Sequence, residues 1–522
     1  MRRRAAVLKK SNTVTREDDQ YIKTLAVRER YRDAYFAHHD PIASDRMLWR
    51  AQTFRHLVHL IPGQSILVLG AGKGLITEQV AAVTRGENPI TAVSFKSSET
   101  KGGTTPATLE FISAQSLPGP LATREFDFII AVDLLDQRNC AWLIQKMYDL
   151  LKPGGEVVVY ESNPWNIVLK IRHAIAGVFG RPDPRVLLSR PRLYELMSEV
   201  GFVRVFSIYN DFVYAPLNRQ LVWLLRNVSI VLENTPVLQT LAGSILAHAQ
   251  KPPLRKKYPR RPLFRHESLR GAVSIVIPCH NEEMNISPLV TQMVALYGDY
   301  LHEIVLVDDN SEDDTRGVIE RLREDYPFIK PVYRTPPNGV GRALADGYRV
   351  ASGRFILSMD CDFQHLLPEF RDLFDAAAEG RGFIVGSRFS RHSVLLNYPF
   401  SKIVANRGFH LIAQLVFLRR FRDLTNNLKL MRREIVEKLL VVEPGFAANA
   451  ETGLQPLLMG CTLTEVPISW INRTSEMGTS SFRLVRVGGG YWRVLWHLWL
   501  GKVFRVGRYK SLFSRQGSEV AQ

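Results

Sequence analysis

Residues 250–269 read QKPPLRKKYPRRPLFRHESL, a proline-rich and strongly basic run without apolar periodicity, and on either side of it short apolar runs alternate with helical patterns. That alternation is the mark of a sheet wrapped by helices, with parallel strands as the first expectation. A break between two such series predicts two α/β domains rather than one. The length agrees, since 522 residues exceed what one hydrophobic core holds. Before the break, strands are expected at 65–69, 90–95, 109–113, 126–132, 156–160, 203–208 and 244–249, preceded by helices over 18–60. After it, SIVIP restarts the pattern and further strands are expected at 303–307, 331–334, 355–359 and 383–385. The expected layout is a helical extension over 1–60, a first domain over 61–250, a linker over 251–270, a second domain over 271–482, and an amphipathic helix and tail over 483–522. The halves share a layer architecture and no motif, so no internal repeat is read.

The formal net charge of +17 calls for an anionic partner such as nucleic acid, an acidic membrane face or a phosphorylated substrate. No zinc-finger spacing, RNA-binding aromatic signature or long basic helix accompanies it, so nucleic acid is not expected. Cys140, Cys279, Cys361 and Cys461 are far apart and form no CxxC pair, which points away from a disulfide framework or structural zinc and toward a reducing, cytoplasmic compartment. The basic start MRRRAAVLKK lacks a following apolar segment, so no secretion signal is read. The apolar stretches at 409–418 and 491–500 fall short of the roughly 20 residues a spanning helix needs, and no transmembrane segment is expected.

The densest chemical signal is SMDCDFQHLLP, where the apolar run RFILSM ends in Asp360, Cys361 and Asp362. Carboxylates at i and i+2 beyond a strand end can both reach one hard divalent cation, which can bridge a diphosphate. Taken alone, the same pattern also describes a solvent-facing turn. SIVIPCHNEE and IVLVDDNSEDDT are two more strands running into polar, acidic loops. Ligands in open parallel sheets sit beyond the carboxyl ends of strands, so three such ends outline one crevice.

In order, these runs, NGVGRALADGYRVASG, MDCDFQH, VGSRF and EVPISWINRTSEMGTSSF resemble glycosyltransferase family 2, most closely its polyprenyl-phosphate sugar synthases. The resemblance covers about residues 272–482. It implies a GT-A fold, a nucleotide-sugar donor, Mg²⁺ or Mn²⁺, and a polyprenyl phosphate or related glycolipid as acceptor. On this sequence it implies that Pro278, Glu282, Asp308 and Asp309 hold the nucleotide sugar. Asp360, Asp362 and Gln364 would carry the metal and diphosphate, and Arg388, Arg407 and Arg473 would meet acceptor or departing phosphate. Asp362, Arg388 and Glu451 are the implied catalytic set. For a lipid-phosphate acceptor no general base is needed; for a glycan or glycolipid hydroxyl, Glu451 is the candidate base, or a residue that positions metal and acceptor, with a helix-start or solvent-facing acid as its plain structural alternative.

Lipid-phosphate members of the family often carry transmembrane helices after the catalytic domain. Here LVRVGGGYWRVLWHLWLGKV combines Trp492, Trp496 and Trp499 with Arg486, Arg493, His497 and Lys502, a composition that suits a helix lying on a membrane surface or one packed against the domain core. The expected placement is peripheral, at the inner membrane face.

In the first domain SILVLGAGKG is a strand entering a glycine turn, with Gly70, Gly72 and Gly74 allowing close backbone approach to a ligand at a helix start. Leu75 stands where a dinucleotide motif would place its third glycine. Together with FDFIIAVD, which ends in Asp133, LLKPGGEVVVY and RLYELMSEVGFVRV, the turn resembles the class I S-adenosylmethionine-dependent methyltransferases. That implies a Rossmann-like fold with S-adenosylmethionine held at Gly70, Gly72, Gly74 and Asp133. The carboxylates the family usually carries are replaced here by Val68, Ser94 and Gln115, so either methylation of the same product or a scaffold role follows.

Overall fold

The computed structural model describes residues 16–37, 42–95, 108–178, 186–213, 219–233, 235, 237–253, 262–361, 367–390, 393, 395–396, 398, 400–471 and 484–514. The chain divides into two compact units, Met1–Tyr258 and Pro259–Gln522.

In the first unit α1 (Arg16–Ala37) and α2 (Ile42–Leu57) precede β1 (Ile66–Leu69), α3 (Leu75–Val83), β2 (Ile90–Ser94) and β3 (Leu109–Ser113). Then come β4 (Phe126–Val132), α4 (Cys140–Leu150), β5 (Leu151–Ser162), α5 (Ile167–Val178), α6 (Arg190–Val200), β6 (Val203–Asn210), α7 (Arg219–Glu233) and β7 (Ser244–Gln250). The sheet runs β3-β2-β1-β4-β5-β7-β6. Its first five strands are parallel, and β7 is antiparallel to both neighbours. Strands covered on both faces read as unbroken apolar runs, as in ILVL of β1 and FIIAV of β4, all buried. The fifth strand starts earlier than expected because a bulge lets Leu151 pair with Phe126 before the regular ladder begins. Helix α6 stops at Gly201, whose φ of +102° is a left-handed cap that glycine adopts without penalty.

The second unit contains β8 (Val273–Cys279), α8 (Glu283–Tyr297), β9 (Leu301–Asp308), α9 (Thr315–Asp325), β10 (Ile329–Tyr333), α10 (Val340–Val350), β11 (Phe355–Ser358) and α11 (Phe370–Ala378). These are followed by β12 (Phe383–Ser387), β13 (Leu395–Leu396), α12 (Phe400–Phe417), β14 (Lys429–Arg432), α13 (Arg433–Val436), α14 (Ala448–Leu458), β15 (Leu463–Pro467), β16 (Trp470–Ile471), α15 (Leu484–Phe504) and α16 (Lys510–Ser514). The main sheet runs β10-β9-β8-β11-β14-β12-β15. Strand β14 is antiparallel to β11 and β12, while the other pairings are parallel.

The fold is therefore mixed α/β with two parallel-rich sheets, and the expectation of parallel pairing throughout is corrected at β7 and β14. Sequence reasoning passed over β14 because its four residues, KLMR, begin and end in cations. Tertiary burial decides the matter, since Lys429 is fully buried in the sheet centre. The flanks of residues 251–270 pack onto the units: Lys251 Nζ donates to the carbonyls of Tyr148 and Leu151, and Leu263 N donates to Leu296 O at 2.7 Å. Val494, Leu495 and Leu498 of α15 are buried in the second unit's core with Tyr509 and Phe513 of the α16 region, leaving Trp492 and Trp496 exposed.

Candidate functional site

At the carboxyl ends of β8 and β9 two loops are laced together. Asp309 N donates to Cys279 O at 2.8 Å, Asn281 N to Ser311 Oγ at 3.0 Å, and Glu282 N to Thr315 Oγ1 at 2.9 Å. Asn281 and Asn310 adopt φ of +57° and +58°, a left-handed geometry that asparagine tolerates better than most residues. Pro278, half-buried, lies opposite Val307, one residue before the pairing of β8 with β9 ends at Cys279 and Asp308.

Asp308 is fully buried, accepting Ser311 N at 3.1 Å and an Nη of Arg316 at 3.2 Å. Asp309 accepts Gly339 N at 2.6 Å and pairs with Arg334, which also donates Nε to Asp346 at 2.7 Å. Both acids thus shape the rim from within, and Glu282 stands half-exposed above them, accepting Asn285 Nδ2 at 2.5 Å. Gly341 N in turn donates to Pro444 O at 2.9 Å, which anchors the start of α10 against the loop before α14.

Beyond β11, Asp360 is half-buried and accepts Asn427 Nδ2 on Oδ1 at 2.8 Å. Asn427 Oδ1 is buried and has no hydrogen-bond partner among the described residues. A carboxylate beside an unsatisfied buried amide oxygen is oxygen-donor chemistry of the kind Mg²⁺ or Mn²⁺ takes, but among the described residues no group of three or more His, Cys, Asp or Glu side chains is placed to hold a metal ion. Asp362, Gln364 and Arg473 lie outside the described residues.

Arg388 is already engaged by groups of the protein itself. Its Nε and Nη2 reach the two carboxylate oxygens of Asp423 at 2.7 and 3.0 Å, its backbone N donates to the same carboxylate, and Nη1 donates to Tyr398 Oη at 3.2 Å. Burial opposes ionisation of Asp423, but the charge and hydrogen bonds of Arg388 outweigh it and hold the carboxyl well below its ordinary range. The expected phosphate ligand is thus a strut between β12 and the entry to β14. Arg407 stacks on Phe389 at 5.2 Å and donates to Arg422 O at 2.8 Å. His410, buried and pushed down to about 4 by burial, accepts Leu424 N on Nε2 at 2.9 Å. Lys429, pushed down to about 7 by burial against the pull of Asp423, donates to Asn426 O and, at 3.2 Å, to Asn449 O.

Glu451 is also turned inward. It is fully buried, accepts Val442 N and Glu443 N at 3.1 Å, and takes a hydrogen bond from Tyr509 Oη. Burial pushes its carboxyl up to about 7, against these donors. A side chain so engaged holds the 442–444 turn rather than meeting an acceptor, which corrects the general-base expectation. Asp423, Asn427, Arg334 and His410 were missed by sequence reasoning. The polar run RDLTNN between an apolar helix and a short strand is the signal that could have found the first two.

In the first unit the glycine turn has the expected backbone, with φ of +68°, +55° and +84° at Gly70, Gly72 and Gly74. Its donors are already used. Glu29 of α1 accepts Gly72 N at 2.7 Å on one oxygen, and Ser94 Oγ at 2.9 Å and Phe95 N at 3.0 Å on the other. Asp33 accepts Lys73 N at 3.1 Å. Arg28 donates to Asp133 O and Arg32 to Val132 O, while Asp133 accepts Ser162 Oγ at 2.8 Å. A Cβ built on Gly72 would lie 2.5 Å from Arg32 Nη2 and Asp33 Oδ1, so α1 covers the turn at contact distance. The residues present do not fit S-adenosylmethionine in this arrangement.

Comparison with known proteins bears on the second unit. Residues 274–440 match the family model described as glycosyl transferase family 2, so the C-terminal region carries a domain of that family. The chain is similar to a dolichol-phosphate mannosyltransferase of Pyrococcus furiosus, 30% identical over 33% of this chain and 50% of the relative. It is also similar to a polyprenol monophosphomannose synthase of Mycolicibacterium smegmatis, 27% identical over 40% of this chain and 79% of the relative. The chain thus spans about half the length of the first of these relatives. Among solved structures, a Mycobacterium tuberculosis glucosyl-3-phosphoglycerate synthase with Mn²⁺, uridine diphosphate and glucosyl-3-phosphoglycerate is 19% identical, over 48% of this chain and 88% of that one, with a TM-score of 0.35. Among the described residues no helix is long and apolar enough to cross a membrane.

Proposed function

We propose that the second unit transfers a hexose-type sugar from a nucleoside-diphosphate sugar to a polyprenyl-phosphate-type lipid, working from the cytoplasm at the inner membrane face. The observation that carries this reading is the pairing of Asp360 with Asn427 at the end of β11, alongside the laced acidic loops of β8 and β9. The relatives' names support the acceptor class.

Asp360, with Asp362 and Gln364 as proposed partners, would hold Mg²⁺ or Mn²⁺; bound there, the cation neutralises the diphosphate that leaves the anomeric carbon. Glu282, Asp308 and Asp309 form the rim that receives the nucleoside, with Arg334 fixing Asp309. A phosphate acceptor is already anionic, so its oxygen attacks the anomeric carbon in line as the bond to the leaving diphosphate breaks, inverting the configuration. No proton need be removed, in keeping with a Glu451 occupied by backbone donors. Of the three cations proposed to meet phosphate, Arg407 is half-exposed and Arg388 supports it from below through Phe389. Arg473 remains part of the proposal.

The sheet order of the first unit, with its single reversed strand, supports a methyltransferase-like ancestry. Because α1 engages the glycine turn, we assign that unit a scaffold role and derive no methyl transfer.

The test is purified full-length chain with a panel of nucleotide sugars, a short polyprenyl phosphate and, in parallel, the free polyprenol. Glycolipid and nucleoside diphosphate are expected only with the phosphate and a divalent cation, and not in Asp362→Ala. Product with the alcohol alone would replace the acceptor class, and full turnover in Asp362→Ala would discard the metal assignment.

A further inference from the structure

Helix α5 of the first unit is built inside out. Trp165, just before it, and Ile171 and Ile175 within it are 57%, 56% and 53% exposed, and Ile167 and Val168 are exposed as well. At 3.6 residues per turn, Ile167, Val168, Ile171 and Ile175 form one continuous stripe. The stripe that would ordinarily face a core faces outward.

The helix is nevertheless held firmly at its start. Asn166 caps it by accepting Leu169 N on Oδ1 at 2.7 Å and donates Nδ2 to Leu241 O at 2.6 Å, while Asn163 donates to the carbonyls of Thr240 and Ala242. These bonds fasten the start of α5 beside the short 3-10 turn Leu238–Leu241, where Val237 and Leu238 are also exposed. An apolar area of this kind on a soluble surface marks a binding face.

Charge selects the partner. From Ser162 to Pro182 the sequence contains no Asp or Glu, but it holds Lys170, Arg172 and Arg181. The helical repeat puts Lys170 and Arg172 at positions on opposite borders of the apolar stripe, and Lys170 Nζ lies 5.3 Å from the Trp165 ring. An apolar stripe with a tryptophan at its end and cations at its borders is the composition of a helix lying in the headgroup layer of an anionic bilayer. A protein groove would be expected to meet the stripe with apolar groups and would place no demand on border cations.

We propose that α5 and the adjoining 237–238 turn dock the first unit onto an anionic phospholipid surface, independently of the chemistry of the second unit. The assignment concerns a segment that the glycosyltransferase reading does not use, and it stands or falls separately from that reading.

The experiment is sedimentation of the full-length chain with vesicles of phosphatidylglycerol and phosphatidylcholine, and with phosphatidylcholine alone, with light scattering of the lipid-free protein in parallel. Replacing one isoleucine that enters the bilayer by a charge weakens partition by about tenfold or more, so Ile171→Glu and Ile175→Glu should each lose binding to anionic vesicles by that factor. Both positions are exposed, and an unchanged melting curve will verify that the variants fold. Lys170→Glu should weaken binding to anionic vesicles and leave the pure phosphatidylcholine arm unchanged. Equal partition of wild type and Ile171→Glu would overturn the proposal. So would a lipid-free dimer of the wild type that Ile171→Glu dissolves while vesicle binding persists, because the stripe would then belong to a second copy.

Discussion

Asp423 and Arg388 face each other in a two-pronged pair, with Nε and Nη2 of the arginine at 2.7 and 3.0 Å from the two oxygens of a carboxylate that no solvent reaches. The geometry matches the planar fork of a guanidinium to a carboxylate. It welds the end of β12 to the segment that leads into β14, next to the loop that carries Asn427.

Removing one partner leaves the other charged and buried, which costs about 3–5 kcal/mol. Asp423→Ala should therefore lower unfolding stability by that order in a urea titration of the full chain. The double variant Asp423→Ala/Arg388→Met should recover part of the loss. A single-variant loss below about 1 kcal/mol would show the pair to be dispensable.

Glu451 gives a pH signature. A carboxyl raised from 4.5 to about 7 on folding favours the folded state fully below pH 4.5, and the contribution disappears as pH rises through 7. The displacement is worth roughly 3 kcal/mol. Wild type should lose stability between pH 4.5 and 7.5 relative to Glu451→Gln, measured as the difference in urea midpoints. Parallel pH profiles for the two proteins would remove Glu451 as the responsible group. With a lipid-phosphate acceptor, Glu451→Gln should keep most of its turnover.

Gly341 sits where α10 begins, and a Cβ there would come 2.1 Å from Glu443 O and 2.8 Å from Ala448 Cβ. Backbone cannot yield as a side chain does, so Gly341→Ala should cost about 1–3 kcal/mol. By shifting the Gly339 N–H that binds Asp309, it should also raise KM for the nucleotide sugar more than it lowers kcat. Initial-rate kinetics would show this, and an unchanged KM would disconnect the 443–445 loop from the donor rim.

Titration calorimetry of the full chain with S-adenosylmethionine should give no heat up to millimolar cofactor, because Glu29 and Asp33 already occupy the Gly72, Lys73 and Phe95 donors. A saturable signal would mean that α1 yields to the ligand, and the scaffold assignment would fall.

Much of the layer architecture was legible because strands buried on both faces leave unbroken apolar runs, as ILVL and VSIVI do. Residues whose function is imposed from afar were not. Nothing local distinguishes Glu451 as a buried strut from Glu451 as a base, since its donors come from residues 442–443 and from Tyr509, 58 positions away. The same holds for Glu29, whose three donors arrive from two different strand ends. Arg388 looks like a phosphate ligand in GSRF until Asp423 is seen beside it. Asp360 stands out in the sequence because an apolar strand ends on it, whereas its hydrogen-bond partner Asn427 lies 67 positions away and leaves no local mark.

Strand β15 pairs with β12 from Phe383↔Leu463 to Ser387↔Pro467, well beyond the end of the family match at residue 440. A piece of the protein trimmed to that match would leave one side of β12 bare, a row of unpaired amides and carbonyls flanked by apolar side chains. Such an edge recruits strands from other molecules, so a fragment cut there is bound for aggregation, whereas one continuing past Pro467 keeps its border sealed.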